Sequence, residues 1–316
     1  MSRIETVFIG GPGRSGTSFV ADRLARHPQT CAFTDVELKL FAEKGGLLDL
    51  WHSLGETYSP NRASVALQQF NRLCLALIKG QFGQRPLVEL AAESDWQATF
   101  LRFTDQLTVN GHAVPVAKET FFPTAAQLLS DLGELAANQQ PASARPRMFV
   151  EKTPHTLLAL DFINRIDPQA RFVHVMRDPR SIAWSLTKMR WAPDELAACC
   201  TWVESYCKAW TAVRTRARSF QPNLQLLNIE TIAVRPDPSA TAVCKALDLD
   251  CQPALFRGAD IATLNGWTAK CSAVEIDEMS ERLAAWVTAF GYDLAEIGRC
   301  TGSSPGVETA PETVGA

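Results

Sequence analysis

The sequence lacks the long apolar runs and the excess of one charge that mark several classes of protein. No window reaches about 18 uncharged apolar residues, so we expect neither a membrane span nor an N-terminal secretory signal. Lys and Arg number 31 against 34 Asp and Glu, a formal net charge of −3. Because no overall positive field attracts nucleic acid or an anionic membrane, any bound anion must be held by a local site. We predict a cytoplasmic protein without a nucleic-acid partner.

A cysteine pattern typical of metal or disulfide frameworks is also missing. The nine cysteines form no C-x-x-C pair, and none stands near a histidine at the spacing of zinc ligands. Their odd number favours reduced thiols, most of them small buried side chains. With 316 residues and 46% hydrophobic side chains, the chain is long enough for one large domain. We predict no metal site.

What is present is an alternation of short apolar runs and amphipathic stretches. The strand-like runs cover 6–10, 31–33, 148–150, 171–176 and 224–229. Helical patterns include 19–28, 35–50, several pieces of 59–133, 238–247 and 274–290. This order predicts an α/β fold with a mainly parallel sheet. We expect a single domain over 1–300, a helical insertion at about 55–145 and a disordered polar tail over 301–316.

Residues 11–18, GPGRSGTS, stand between the first strand-like run and the first helix. They match the phosphate-loop pattern G-x-x-x-x-G-K-[ST] at every fixed position except that of the lysine, where Thr17 stands. Glycines let backbone N–H groups surround an anion, and the N-terminus of the next helix adds its dipole. The pattern predicts an anion-binding loop, although a purely structural turn is the alternative. Its binding residues would be Gly13, Arg14, Ser15, Gly16, Thr17 and Ser18.

Two further cations follow predicted strands. Arg177 stands directly after the run 171–176, and Lys152 after 148–150. Arg177 and Ser185 would then lie at the carboxyl edge of the sheet, where open α/β proteins bind ligands. The alternatives are an ion pair of Arg177 with its neighbour Asp178 and a surface position for Lys152. For Arg180 we expect a solvated surface charge.

The motifs together resemble the nucleotide-dependent sulfotransferases, within them the bacterial and tyrosylprotein-type branch. The similarity rests on GPGRSGTS with HP after the first helix, on EKTPHTLLALDFINRIDPQARFVHVMRDPRSIAWSL, on NIETIAVRPDPSATAVCKALDL, and on GWT with a final helix ending in FGYD. It covers about the first 50 residues and most of 148–294. The family often has Tyr where this chain has Ile229. The resemblance implies a P-loop NTPase-like parallel sheet flanked by helices, with the helical insertion on the acceptor side.

The same resemblance implies the chemistry. Members transfer a sulfuryl group from 3′-phosphoadenosine 5′-phosphosulfate (PAPS) to a hydroxyl or amine and release 3′-phosphoadenosine 5′-phosphate. The GPGRSGTS loop would hold the 5′-phosphosulfate, while Arg177 and Ser185 would hold the 3′-phosphate. No metal is expected, because such transfer depends on positioning and on cations near the bridging oxygen. We assign that role to Arg14 and Lys152, with Lys152 at the leaving phosphate.

A carboxylate must take the proton from the acceptor. The family places a Glu shortly after the helix that follows the phosphate loop, and TDVELKLF offers Asp35 and Glu37 there. We assign Glu37 as the general base, with Asp35 as the alternative. In the structural alternative, Asp35 caps a helix and Glu37 lies in its first turn.

We therefore predict a PAPS-dependent sulfotransferase acting on a small-molecule acceptor, as a monomer or a homodimer. The alternatives are a P-loop small-molecule kinase and a non-catalytic nucleotide-binding protein of the same fold. Aromatic residues of the insertion should shape the acceptor pocket or form a helical core: Trp51, Tyr58, Phe70, Phe82, Trp96, Phe100 and Phe103.

Overall fold

A parallel sheet flanked by helices organises the computed structural model, which describes residues 4–80, 84–141, 146–220 and 222–301. The strands are β1 (Glu5–Gly10), β2 (Thr30–Ala32), β3 (Thr108–Val109), β4 (His112–Ala113), β5 (Met148–Lys152), β6 (Arg171–Met176) and β7 (Asn223–Asn228). The main sheet has the order β2-β5-β1-β6-β7, and β3 pairs with β4 in an antiparallel ribbon. The predicted α/β class and parallel sheet are confirmed.

Helices follow the strands of the main sheet, as the sequence pattern indicated. They are α1 (Thr17–Leu24), α2 (Leu47–Trp51), α3 (Pro60–Lys79), α4 (Glu93–Asp105), α5 (Lys118–Ala137), α6 (Leu160–Ile166), α7 (Pro179–Leu186), α8 (Leu196–Ala217), α9 (Ile229–Val234), α10 (Pro236–Ala246), α11 (Ile261–Asn265) and α12 (Ala273–Ala289). A π-helical turn, His52–Glu56, continues α2. The ends of several helices are readable in the sequence: Ser59 caps α3, and Ser272 with Glu275 forms a capping box at α12.

The helix predicted over 35–50 is wrong, because helical structure begins only at Leu47. Residues 36–40 run without regular secondary structure, with Val36, Leu38 and Leu40 buried and the polar residues between them partly exposed. This alternation has a period of two, the mark of an extended segment with one buried side. The sequence VELKLF carries that signal, but the apolar residues after it suggested a helix.

The chain divides into two compact units. The first comprises Met1–Ile9, Leu24–Phe172 and Gln221–Asn223, and the second Gly10–Arg23, Val173–Phe220 and Leu224–Ala316. The expected single domain over 1–300 stays a prediction, and residues 302–316 of the expected tail lie outside the described residues. Within the described part of the chain, no helix has the length and apolar character needed to cross a bilayer.

In the first unit, α3, α4 and α5 lie within 55–145, where the sequence predicts a helical insertion, and α5 packs against β2 and β5. Five of the aromatic residues for which an acceptor pocket or a helical core was expected are buried, which fits the helical core. They are Trp51, Phe70, Trp96, Phe100 and Phe103. Their rings pack against one another and against neighbouring rings, for example Phe70 on Phe103 at 5.2 Å between centroids. Tyr58 is partly exposed, and Phe82 lies outside the described residues.

The core of the second unit lies where α7, α8 and α12 pack together. His174 of β6 is buried, and its Nε2 lies 3.2 Å from the hydroxyl of Tyr206. Its ring stacks on Trp210 with 4.0 Å between centroids and 3° between planes. Burial lowers the pKa of His174 to about 3, so the ring is neutral at physiological pH and serves packing.

Candidate functional site

The loop between β1 and α1 depends on two glycines for its path. A Cβ on Gly11 would lie 2.1 Å from the carbonyl oxygen of Val175, and one on Gly16, whose φ is 98°, would lie 2.9 Å from Cγ1 of Ile229. Arg14 has a positive φ of 72°, and the N–H of Ser15 donates to the carbonyl of Pro12 at 3.1 Å. The loop is thereby turned tightly into the N-terminus of α1, where helix N–H groups favour an anion.

The hydroxyl groups of this loop differ in exposure. Ser15 is fully buried, and its Oγ has no hydrogen-bond partner among the described residues. Buried polar atoms nearly always have a partner, so an unpartnered hydroxyl here is a feature that a bound group would explain. Thr17, at the position of the absent lysine, is also buried, whereas Arg14 and Ser18 are exposed.

Arg14 of the loop contacts Ser185 of α7. The Nε–H of Arg14 donates to the Oγ of Ser185 at 3.0 Å, although 171 residues separate them in the chain. Two residues predicted to bind the 5′ and the 3′ ends of one nucleotide are therefore neighbours within the second unit. The Arg14 guanidinium keeps its other N–H groups for an anion.

Arg177 follows β6 directly and is held on one side only. It donates to the carbonyl of Leu264, while its Nε–H is buried without a partner among the described residues. Burial lowers the pKa of the Arg177 guanidinium, nearby Glu230 opposes this, and the positive charge of Arg14 adds to the lowering. A bound anion would accept the hydrogen bond of the Arg177 Nε–H and would place a negative charge beside the buried guanidinium.

Asp178 pairs with Arg180 and not with Arg177. Arg180 is fully buried and donates to both carboxylate oxygens of Asp178, Nε at 3.0 Å and a terminal nitrogen at 2.8 Å. It also donates to the carbonyls of Asp293 and Leu294. The prediction of a solvated surface charge for Arg180 is wrong, because the chain segment after α12 covers it. The predicted alternative of an Arg177–Asp178 pair at the helix start is likewise not the arrangement found.

Glu230 is a buried carboxyl next to this pair. Its oxygens accept from the backbone N–H of Asp178 at 3.0 Å and from the hydroxyl of Tyr292 at 2.7 Å. Burial raises the pKa of Glu230 to about 7, against the effect of the Tyr292 hydrogen bond. Sequence reasoning did not single out Glu230, although an acidic residue directly after a strand of the sheet, in NIETIA, was an available signal.

In the first unit, Glu37 and Lys152 form an ion pair. Nζ of Lys152, the last residue of β5, lies 2.7 Å from Oε1 of Glu37, and Nζ of Lys39 lies 3.9 Å from Oε2. The side chain of Glu37 is 29% exposed and that of Lys152 14%. The predicted base and the predicted leaving-group cation thus touch each other while both stay accessible to a substrate.

The backbone around Glu37 is held by side chains. Gln84 accepts from the N–H of Glu37 at 2.9 Å and donates to its carbonyl at 3.0 Å. The N–H of Lys39, which has a positive φ of 56°, donates to Oγ1 of Thr153 at 3.2 Å. These contacts replace the hydrogen bonds of the helix that the sequence suggested. Gln84 was not predicted.

Glu151 stands next to Lys152 in the chain and is buried. One oxygen accepts from the hydroxyl of Thr153 at 2.7 Å, and the other has no partner among the described residues. Burial raises the pKa of Glu151 to about 7, although Thr153 and the charge of Lys152 act in the opposite direction.

Asp35, the alternative base, lies at the surface. It has a positive φ of 61° and is exposed, and it caps no helix because none begins there. Among the described residues, no group of three or more His, Cys, Asp or Glu is arranged to hold a metal ion. The nine cysteines are free thiols, six of them buried.

Residues 6–253 match a family model described as the sulfotransferase family. The nodulation protein NoeE of Sinorhizobium fredii (strain NBRC 101917 / NGR234) is 23% identical over 272 residues, which cover 80% of this chain and 52% of NoeE. The chain therefore spans about half the length of that relative. The sulfotransferase domain from the Synechococcus PCC 7002 olefin synthase shares its fold, with a TM-score of 0.52, 18% identity, and coverage of 89% of this chain and 94% of that domain.

Proposed function

Because the chain belongs to the sulfotransferase family, we propose that it transfers a sulfuryl group from PAPS to a hydroxyl or amine of a small-molecule acceptor. The observation that carries the proposal is the phosphate loop. There Thr17 stands in place of the lysine of P-loop nucleoside triphosphatases, and Arg14 donates a hydrogen bond to Ser185. A donor with a single 5′-phosphate joined to a sulfuryl group needs no lysine for β- and γ-phosphates.

The unpartnered atoms of the second unit fit this donor. The hydroxyl of Ser15 is a donor for the 5′-phosphosulfate, together with the backbone of 13–18 and the Arg14 guanidinium. Two further donors are available for the 3′-phosphate: the Nε–H of Arg177, which has no partner among the described residues, and the hydroxyl of Ser185, whose oxygen accepts from Arg14. Guanidinium groups and helix N–H groups supply the positive charge, so we propose that no metal is required.

The pair in the first unit supplies the acid–base chemistry. Glu37 takes the proton from the acceptor as the acceptor oxygen or nitrogen forms its bond to sulfur and the bond between sulfur and the bridging phosphate oxygen breaks. Lys152 stabilises the negative charge that grows on the leaving phosphate. Its hydrogen bond to Glu37 orients the carboxylate beforehand. We propose that residues 1–300 act as one sulfotransferase domain, as a monomer or a homodimer.

Calorimetry with nucleotides tests the donor. We expect 3′-phosphoadenosine 5′-phosphate to bind and ATP–Mg²⁺ not to bind. Arg177→Lys should weaken the first by about 10- to 100-fold, because a point charge replaces a fork of N–H donors, while leaving adenosine 5′-phosphate binding unchanged. Binding of ATP–Mg²⁺ alone would favour the kinase and overturn the proposal.

Transfer is tested with PAPS labelled in the sulfuryl group and a panel of sugar, phenol, alcohol and amine acceptors. We expect label in at least one acceptor, and transfer slower by about 100-fold or more with Glu37→Gln. Nucleotide binding without transfer to any acceptor would favour the non-catalytic alternative.

A further inference from the structure

We propose that Glu151 and Thr153 are positioning residues that hold the backbone segment carrying Glu37 against the end of β5. The inference rests on the proposed function, because it assigns a purpose to the placement of the base, but the contacts themselves do not depend on it. Neither side chain needs to touch a substrate for this role.

A chain of hydrogen bonds leads from Glu151 to the segment. The hydroxyl of Thr153 donates to Oε1 of Glu151 at 2.7 Å, and Oγ1 of Thr153 accepts from the backbone N–H of Lys39 at 3.2 Å. A threonine hydroxyl has one hydrogen and two lone pairs. Since its hydrogen is used on Glu151, its oxygen is directed to accept, which is what the N–H of Lys39 requires.

The anchored residue is one whose backbone needs support. Lys39 has a φ of 56°, a conformation that residues with a Cβ rarely adopt. Strained residues of this kind persist where the surroundings determine them, and they occur often at functional sites. The hydrogen bond to Thr153 is such a determinant, because it fixes the N–H of the strained residue itself.

Glu37 lies between two anchors. The side chain of Gln84 binds the backbone N–H and carbonyl of Glu37, and the hydroxyl of Thr153 accepts from the N–H of Lys39, two residues later. Lys152, which donates a hydrogen bond to the Glu37 carboxylate, stands between Glu151 and Thr153 in the chain. The base and its cationic partner are therefore set by adjacent residues, and a displacement of about 1 Å at such a centre can cost about 100-fold in rate.

Glu151 contacts the segment at two points, directly through the backbone N–H of Leu38 and indirectly through the hydroxyl of Thr153. It is 1% exposed, its second oxygen has no partner among the described residues, and the charged groups acting on it are Lys152 and Glu37. A buried carboxyl that binds the Thr153 hydroxyl orients that hydroxyl firmly, because both side chains are shielded from solvent.

Thr153→Val removes the hydroxyl with little change in volume and is the main test. The matched control is Thr156→Val, since Thr156 is equally buried and its hydroxyl has no partner among the described residues. We expect Thr153→Val to lower kcat by about 10- to 100-fold with the KM for PAPS within about 3-fold, and Thr153→Ser to restore kcat. Thr156→Val should stay within about 3-fold of the wild type.

Amide hydrogen exchange gives a readout without any substrate. The Lys39 amide should exchange about 10-fold faster or more in Thr153→Val, and at the wild-type rate in Thr153→Ser and Thr156→Val. Glu151→Gln keeps an acceptor for the Thr153 hydroxyl and should leave this exchange unchanged, whereas Glu151→Leu should accelerate it.

Each outcome bears on one claim. Wild-type kcat and exchange in Thr153→Val would overturn the inference, and so would equal losses in Thr153→Val and Thr156→Val. An unchanged exchange rate of the Lys39 amide in Glu151→Leu would show that Glu151 has no part in holding the segment. A wild-type protein that transfers no sulfuryl group to any acceptor counts against the proposed function, while the exchange results still decide whether the anchors hold the segment.

Discussion

Nζ of Lys152 lies 2.7 Å from Oε1 of Glu37, across 115 residues of chain. This contact joins the cation at the end of a strand to the carboxylate of an extended segment. It places the proposed general base and the proposed leaving-group cation side by side before any substrate binds. Four predictions follow from this and from the buried charges of the second unit.

Glu37→Gln should lower kcat by about 10²- to 10⁴-fold, because the amide cannot take the acceptor's proton. The affinity for 3′-phosphoadenosine 5′-phosphate should stay within about 3-fold, since the base does not bind the donor nucleotide. Asp35→Asn, two residues away and exposed, is the matched control and should keep wild-type kcat. The reverse result, an inactive Asp35→Asn and an active Glu37→Gln, would make Asp35 the base.

Lys152→Met should lower kcat by about 10²- to 10³-fold, because the leaving phosphate loses its cation. Lys39→Met serves as control: its Nζ lies 3.9 Å from the other oxygen of Glu37, so it removes a cation near the same carboxylate. We expect less than about 10-fold loss for Lys39→Met. Equal losses in steady-state kinetics would show that Lys152 acts only through the charge of Glu37.

Arg180→Met should lower the free energy of unfolding by about 3–5 kcal/mol, because it leaves the buried carboxylate of Asp178 without its cation. Arg299→Met removes a cation from an exposed pair with Glu296 and should leave the free energy of unfolding close to that of the wild type. Urea denaturation of both variants checks the difference. A loss below about 1 kcal/mol for Arg180→Met would contradict the buried pair.

Stability should depend on pH through Glu230. Burial raises its pKa in the folded protein to about 7 from the usual 4.5, so the folded state binds its proton more tightly than the unfolded state. The resulting stabilisation is complete below pH 4.5 and is lost as the pH rises through 7, a change of about 3 kcal/mol.

Glu230→Gln should reduce this fall in the free energy of unfolding, measured by urea denaturation at pH 5, 6 and 7. Glu151, whose pKa is also raised to about 7, contributes in the same direction and keeps part of the slope in the variant. Glu275→Gln, at an exposed helix start, is the control and should leave the slope between pH 5 and 7 intact. An unchanged slope in Glu230→Gln would mean that Glu230 is ionised in the fold at neutral pH.

Local patterns predicted the parts of the fold that local forces build. The run 171–176 is strand β6, and the order of strand, GPGRSGTS and helix is the order found. Glycine spacing and helix N-termini act over a few residues, so they are visible in a short window. The helix predicted over 35–50 was wrong, because the alternation of apolar and polar residues in VELKLF was interpreted together with the apolar residues that follow it.

The sequence alone determined the family, the α/β class and the residue types available to bind an anion, since these depend on motifs and on the order of elements. Only the tertiary structure decided which charges meet. Arg180 is buried because Asp293 and Leu294, which lie 113 and 114 positions later, cover it. Glu37 contacts Lys152, which lies 115 positions later, from a segment whose backbone binds Gln84 and Thr153. The energy of a charge depends on what surrounds it, and those surroundings come from distant parts of the chain.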